Sequence, residues 1–325
     1  MLDVWVPLFG GLALLILGGD LLVRGAVKVA ETLGVSPLVI GLTLVGFGTS
    51  TPELVTSVQA ALTDAPGIAY GNIVGSNIAN ILLILGFSAI LFPIVVSSSA
   101  LRRDAVFMLG VAAAFAALSF LVPMGRVVGL LFIASLGAYI YVAFRQESRS
   151  SEHGAVYDKA AALEAVDPAV APKTERSGGL LLPLLLSLGG LVLVVLGGRF
   201  LVDGAISIAE SFGIPETVIG LTIVAVGTSM PELVTSVLAA VKRQSDVAFG
   251  NIVGSNIYNI LGIGGATALI SPTRVPQEIV TFDNLIMVGV SLLLVVFAAT
   301  SLRIARGEGA VLVAGYLAYL YVLWP

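Results

Sequence analysis

One segment of this chain occurs twice, and that duplication constrains the fold more than any other feature. Residues 48–58 read GTSTPELVTSV and residues 227–237 read GTSMPELVTSV. Each copy is followed at the same distance by GNIVGSNIxN, at Gly71–Asn80 and at Gly250–Asn259. A shift of 179 residues superposes 17–86 on 196–265 without a gap, with 42 of 70 positions identical. A repeat of this size fixes the architecture before any site is argued, because each copy is one structural unit.

Both copies lie in apolar sequence. The 325 residues are 58% hydrophobic and 11% charged, with a mean hydropathy of +1.05. A soluble chain could not cover that much apolar surface, so a polytopic membrane protein in a lipid bilayer is expected. The net charge of −4 gives no basic surface for nucleic acid. Without cysteine there are no disulfides, thiolate metal sites or cysteine nucleophiles. His153, the single histidine, falls in a polar stretch and reads as a solvated side chain. The amino-terminal MLDVWVP lacks the basic start of a signal peptide, so a retained first helix is expected.

Crossing the hydrocarbon core takes about 20 apolar residues. On that basis spans are expected near 4–23, 38–62, 70–92, 104–122 and 127–144, then near 179–201, 217–240, 249–270, 284–301 and 309–324. Five spans per copy is odd, so the second copy enters from the opposite side. The expected fold is all-α, with ten transmembrane helices as two inverted five-helix repeats, 1–144 and 179–325. The polar stretch 145–178 reads as a linker in which Ala160–Val166 can form a short helix. With both termini outside and the linker cytoplasmic, 13 basic residues fall on the inner side. Only Arg126, Arg199 and Arg274 fall outside, which accounts for all 16. Asp20 and Arg24 become Arg199 and Asp203 in the second copy, a sign swap that keeps arginine nearer the inner side; each i,i+4 pair can bridge.

Glu53 and Glu232 lie mid-span, where a charge costs at least ~2.5–3.5 kcal/mol on insertion scales and must face a cavity or a partner. No Lys or Arg lies at that depth within any span, so the natural counter-charge is a bound cation. The oxygens around them suit a hard cation. Thr49 and Ser50 precede Glu53 by four and three residues, and Thr228 and Ser229 repeat this before Glu232. Pro52 and Pro231 leave the carbonyls of Gly48 and Gly227 without a helical donor, and Gly41 and Gly46 weaken the first helix further. On the next helix Asn72, Ser76 and Asn80, repeated as Asn251, Ser255 and Asn259, form one polar stripe at i, i+4, i+8. Gly71/Gly75 and Gly250/Gly254 are expected to serve close helix packing.

The doubled GTSxPE and GNIVGSNIxN motifs resemble the sodium/calcium exchanger branch of the calcium:cation antiporter superfamily, over nearly the whole chain. The resemblance implies a cell-membrane antiporter of prokaryotic type exchanging Ca²⁺ for Na⁺. It implies calcium at Glu53, Glu232, Thr49 and Thr228. Sodium would be held by Ser50, Ser76, Ser229, Ser255 and carbonyls near Gly46 and Ala225, with Asn80 and Asn259 lining the central position. Many members carry Asp at the position of Asn259; here two carboxylates stand in place of three, which leaves ion stoichiometry and potassium dependence open.

Two glutamates carry −2 when ionised, which one Ca²⁺ or two Na⁺ neutralises, and like charges so close resist crossing a low-dielectric barrier empty. Exchange follows if only a loaded carrier can swap its open side. A proton-coupled divalent-cation antiporter and a gated cation channel use the same oxygens and differ in counter-ion dependence. No nucleophile constellation or phosphate loop points to an enzyme or a cofactor, and nothing points to a protein partner.

Overall fold

In the computed structural model, residues 2–33, 44, 46–98, 100–147, 155–166 and 179–324 are described. Gly41, His153 and the start of the expected 38–62 span lie outside them. In a bilayer every backbone polar group must be satisfied within the protein, so apolar runs of this length become helices. The chain is α1 (Leu2–Thr32), a turn at Gly46–Gly48, α2 (Thr51–Leu62), α3 (Pro66–Leu91), α4 (Ala100–Leu121) and α5 (Arg126–Glu147). A short linker helix α6 (Ala155–Val166) follows. Then come α7 (Leu181–Phe212), α8 (Glu216–Thr228), α9 (Met230–Val241), α10 (Ser245–Ile270), α11 (Ile279–Ser301) and α12 (Arg306–Leu323).

Seven of these helices are long and apolar enough to cross a membrane, or eight if the bent pair α8–α9 is one span. A helix overlies each expected span as far as it is described, but α1 and α7 run on to Thr32 and Phe212, past the expected ends at 23 and 201, and α2 and α12 are not among the seven. Beside the helices there is a two-residue antiparallel pairing, β1 (Ile94–Val95) with β2 (Arg303–Ile304), which ties the chain after α3 to the chain before α12.

The packing order is set by glycine. Along α1, a Cβ on Gly11 would strike the backbone of Leu201, one on Gly18 that of Val194, and one on Gly25 that of Ser187. The contacts climb α1 while they descend α7, so the two helices run antiparallel with their backbones in close approach. The charge pairs form as expected, Asp20–Arg24 at 2.9 Å and Arg199–Asp203 at 3.8 Å, both exposed.

The centre belongs to α3 and α10. Their apolar windows are 83% and 89% buried, against 28–44% for the other spans, so they form the core and the rest face outward. Each carries a π-helical turn, Asn80–Leu85 in α3 and Tyr258–Gly264 in α10. Such turns insert one residue into the helix and recur at functional sites. The bend between α8 and α9 is 49°. It falls at Ser229, just ahead of Pro231, where the missing N–H breaks the ladder.

Candidate cation-binding site

The proline breaks bring the two glutamates to the middle of the molecule, each 1% exposed. Ser50 Oγ donates to Glu232 Oε1 at 3.1 Å, and Ser229 Oγ donates to Glu53 Oε1 at 3.0 Å. Under the 179-residue shift these are one contact made twice, so each copy's serine holds the other copy's glutamate. The asparagines secure the backbone beneath. Asn72 Nδ2 donates to Ser57 Oγ (2.9 Å) and to the Glu53 carbonyl (3.2 Å). Asn251 Nδ2 donates to Ser236 Oγ and Thr235 Oγ1 (both 2.8 Å) and to the Glu232 carbonyl (3.4 Å).

The remaining expected ligands gather unevenly. Thr228 Oγ1 donates to Asn72 Oδ1 at 3.0 Å, and Ser76 Oγ lies 3.4 Å from the same oxygen and 3.5 Å from the Ala225 carbonyl. Ser255 Oγ lies 3.4 Å from Glu232 Oε1. Gly46 is buried in its turn. Asn80 Nδ2 donates to Asn256 Oδ1 at 2.9 Å, and Asn256 Nδ2 donates to the Asn77 carbonyl at 3.3 Å, which joins α3 to α10. Asn80 and Asn259 are buried, but among the described residues no hydrogen bond joins either to a glutamate. Asn77 and Asn256 are the residues the motif reading passed over. They stand beside Ser76 and Ser255 in the same duplicated string.

Several buried oxygens have no hydrogen-bond partner: Glu53 Oε2, Glu232 Oε2, Asn80 Oδ1, Asn251 Oδ1 and Asn259 Oδ1. Leaving a buried acceptor unpaired costs about 1–3 kcal/mol, more for a charged one. Carboxylate and amide oxygens without donors are what a hard cation takes as ligands. Among the described residues no group of three or more Asp, Glu, His or Cys is placed to hold a metal ion. The cation chemistry available here therefore rests on two carboxylates with neutral hydroxyl, amide and carbonyl oxygens.

One partner comes from outside the spans. Lys159, on α6, is fully buried. Its Nζ donates to Thr49 Oγ1 (2.7 Å), Ser50 Oγ (3.2 Å), Glu232 Oε1 (3.4 Å) and Ser255 Oγ. It also lies 5.9 Å from the centre of the Tyr258 ring. Burial lowers its pKa, and the two carboxylates oppose that shift, Glu232 more than Glu53. The spans carry no basic residue at this depth, as the sequence indicates, yet a lysine reaches it from the linker. The helix itself is legible in Ala160–Val166; its burial against α10 is not.

The family model for the sodium/calcium exchanger protein matches residues 4–145 and 182–324. The sodium/calcium exchanger MaX1 of Methanosarcina acetivorans is 36% identical over 97% of this chain and 96% of its own length. Inner membrane protein YrbG of Escherichia coli is 35% identical, covering 100% of this chain and 98% of its own. Among solved structures, the sodium-calcium exchanger NCX_Mj soaked with Na⁺ and Sr²⁺ aligns with a TM-score of 0.63 at 32% identity, over 98% of both chains.

Proposed function

Because the chain belongs to the sodium/calcium exchanger family, we propose that it exchanges Ca²⁺ for Na⁺ across a cell membrane by alternating access. Ions bind at mid-membrane between two inverted five-helix repeats, 1–144 and 179–325, joined by a cytoplasmic linker, with both termini outside. The observation that carries this reading is the reciprocal pair Ser50–Glu232 and Ser229–Glu53, in which the second oxygen of each carboxylate, Oε2, has no protein donor. A site assembled from both repeats in one pattern can be reached alternately from either side, since what opens it in one copy has a counterpart in the other.

Calcium takes Glu53 and Glu232 with Thr49 and Thr228. Sodium takes Ser50, Ser76, Ser229 and Ser255 with carbonyls near Gly46 and Ala225, while Asn80 and Asn259 line the centre. One Ca²⁺ or two Na⁺ neutralises the carboxylate pair, and the ion-free pair resists crossing the barrier through like-charge repulsion. The antiparallel α1–α7 pair, packed through small residues along its length, is the natural moving element.

The test is calcium uptake into proteoliposomes loaded with Na⁺. Glu53→Gln and Glu232→Gln are each expected to lower the rate at least about tenfold, the effect of removing roughly 1.4 kcal/mol of charge stabilisation. Wild-type uptake in both variants would overturn the assignment.

A further inference from the structure

We propose that linker helix α6 is a tethered plug of the cation site, with the Lys159 ammonium standing where a transported cation binds. The inference rests on the reading of this pocket as a cation site. A lysine presents three donors on a compact +1 charge. Every hydrogen-bond acceptor around this one, Thr49, Ser50, Glu232 and Ser255, belongs to the set assigned to Ca²⁺ and Na⁺ above. Lysine and cation therefore compete for the same oxygens, and both cannot be held at once.

The inverted copy serves as an internal control. Around Asn72, Thr228 and Ser76 both point their hydroxyls at Oδ1. Their counterparts Thr49 and Ser255 turn to Lys159 instead, and Asn251 Oδ1 is left without a partner. At the oxygens the lysine engages, the two copies therefore differ. Packing departs in the same way. On α3, a Cβ at Gly71 or Gly75 would meet the backbone of Gly220 and Leu221 in α8. On α10, the matched glycines face α6: a Cβ at Gly250 would collide with Asp158, and one at Gly254 would lie 3.0 Å from the Ala155 carbonyl and 3.3 Å from the Lys159 side chain. The matched glycines thus pack on α8 in one copy and on the linker helix in the other.

The helix is also fastened at both ends. The Ala155 N–H donates to Asp104 Oδ2 at 2.9 Å, and the same carboxylate accepts the Tyr139 hydroxyl at 3.0 Å. At the other end Lys242 Nζ donates to the Ala165 carbonyl at 2.8 Å. Leu163 and Val166 wall a cavity of about 300 Å³ that reaches Thr49.

The charge balance makes the plug displaceable. One ammonium offsets one of two carboxylates, whereas Ca²⁺ offsets both. Tethering gives the lysine an effective concentration near the millimolar range, so the plug sets a cation threshold and is evicted when that threshold is passed. Only the unplugged fraction binds ions, and apparent affinity falls by that fraction.

Two variants and one cleavage test this in the full-length protein. Lys159→Ala removes the competing charge. Gly250→Ala keeps the lysine but unseats α6 at Asp158. Both are expected to lower the KM for Ca²⁺ in Na⁺-driven uptake by about three- to tenfold, as expected for a competent fraction of about 10–30%. In addition, tryptic cleavage after Lys159 should be blocked in choline buffer free of Na⁺ and Ca²⁺ and appear with saturating Ca²⁺. An unchanged or raised KM in both variants, or cleavage after Lys159 indifferent to Ca²⁺, would overturn the plug while leaving the exchanger standing. Uptake that appears only in the variants would support the plug strongly. Uptake absent from wild type and both variants would overturn the exchange reading, and the plug as a cation competitor with it.

Discussion

Each glutamate is held from two directions: by a serine of the opposite copy at the carboxylate, and by an asparagine of the next helix at the backbone. Asn72 and Asn251 therefore act as positioning residues, and their loss should be felt as loosening of the turns. Asn72→Ala and Asn251→Ala strip donors from buried hydroxyls and a carbonyl, so each should cost about 1–2 kcal/mol, measured as a fall in thermal unfolding temperature in detergent. Unchanged stability in both would contradict the idea that these amides set the glutamates. At this scale the sequence is informative where chemistry is out of place. A carboxylate flanked by hydroxyls in an apolar span is conspicuous, and doubling removes coincidence. Lys159 is silent for the opposite reason. In a stretch of Ala, Glu and Asp a lysine is the expected solvated residue, and helical periodicity does not say what the helix packs on.

At the scale of elements, span positions follow from hydropathy because the bilayer fixes both length and conformation. Two details escape that argument. The π-helical turns at Asn80–Leu85 and Tyr258–Gly264 change a helix by one residue without changing residue type. Which glycine of a pair makes contact also depends on the rotation of the helix. Gly189 and Gly190 illustrate this. A Cβ on Gly189 meets nothing within 4 Å, whereas one on Gly190 would strike Leu22 and the Gly18 carbonyl across the α1–α7 contact. Gly189→Ala should leave stability unchanged or raise it by up to about 1 kcal/mol through helix propensity. Gly190→Ala should lower it and reduce transport. Equal effects of the two substitutions would contradict the close antiparallel crossing.

For the whole molecule, the proposed topology has residues 145–178 in the cytoplasm and the chain between α10 and α11 outside. The absence of cysteine makes labelling clean. With a membrane-impermeant maleimide on intact cells, Pro272→Cys should react and Ser151→Cys should react only after lysis. The reverse pattern would invert the topology. The all-helical membrane fold was legible because apolar runs of this length leave the backbone few conformations but a helix. The linker was not, since its polar composition says nothing about its docking. The ion that drives transport is likewise a property of the assembled site, where two carboxylates and neutral oxygens suit Na⁺, Ca²⁺ or a proton in different measure. The central claim is therefore tested most directly by calcium uptake into proteoliposomes of the wild-type protein under an imposed sodium gradient, and then under a proton gradient alone. Uptake that follows the sodium gradient and is absent with protons alone is the predicted result; uptake indifferent to sodium would contradict sodium-coupled exchange.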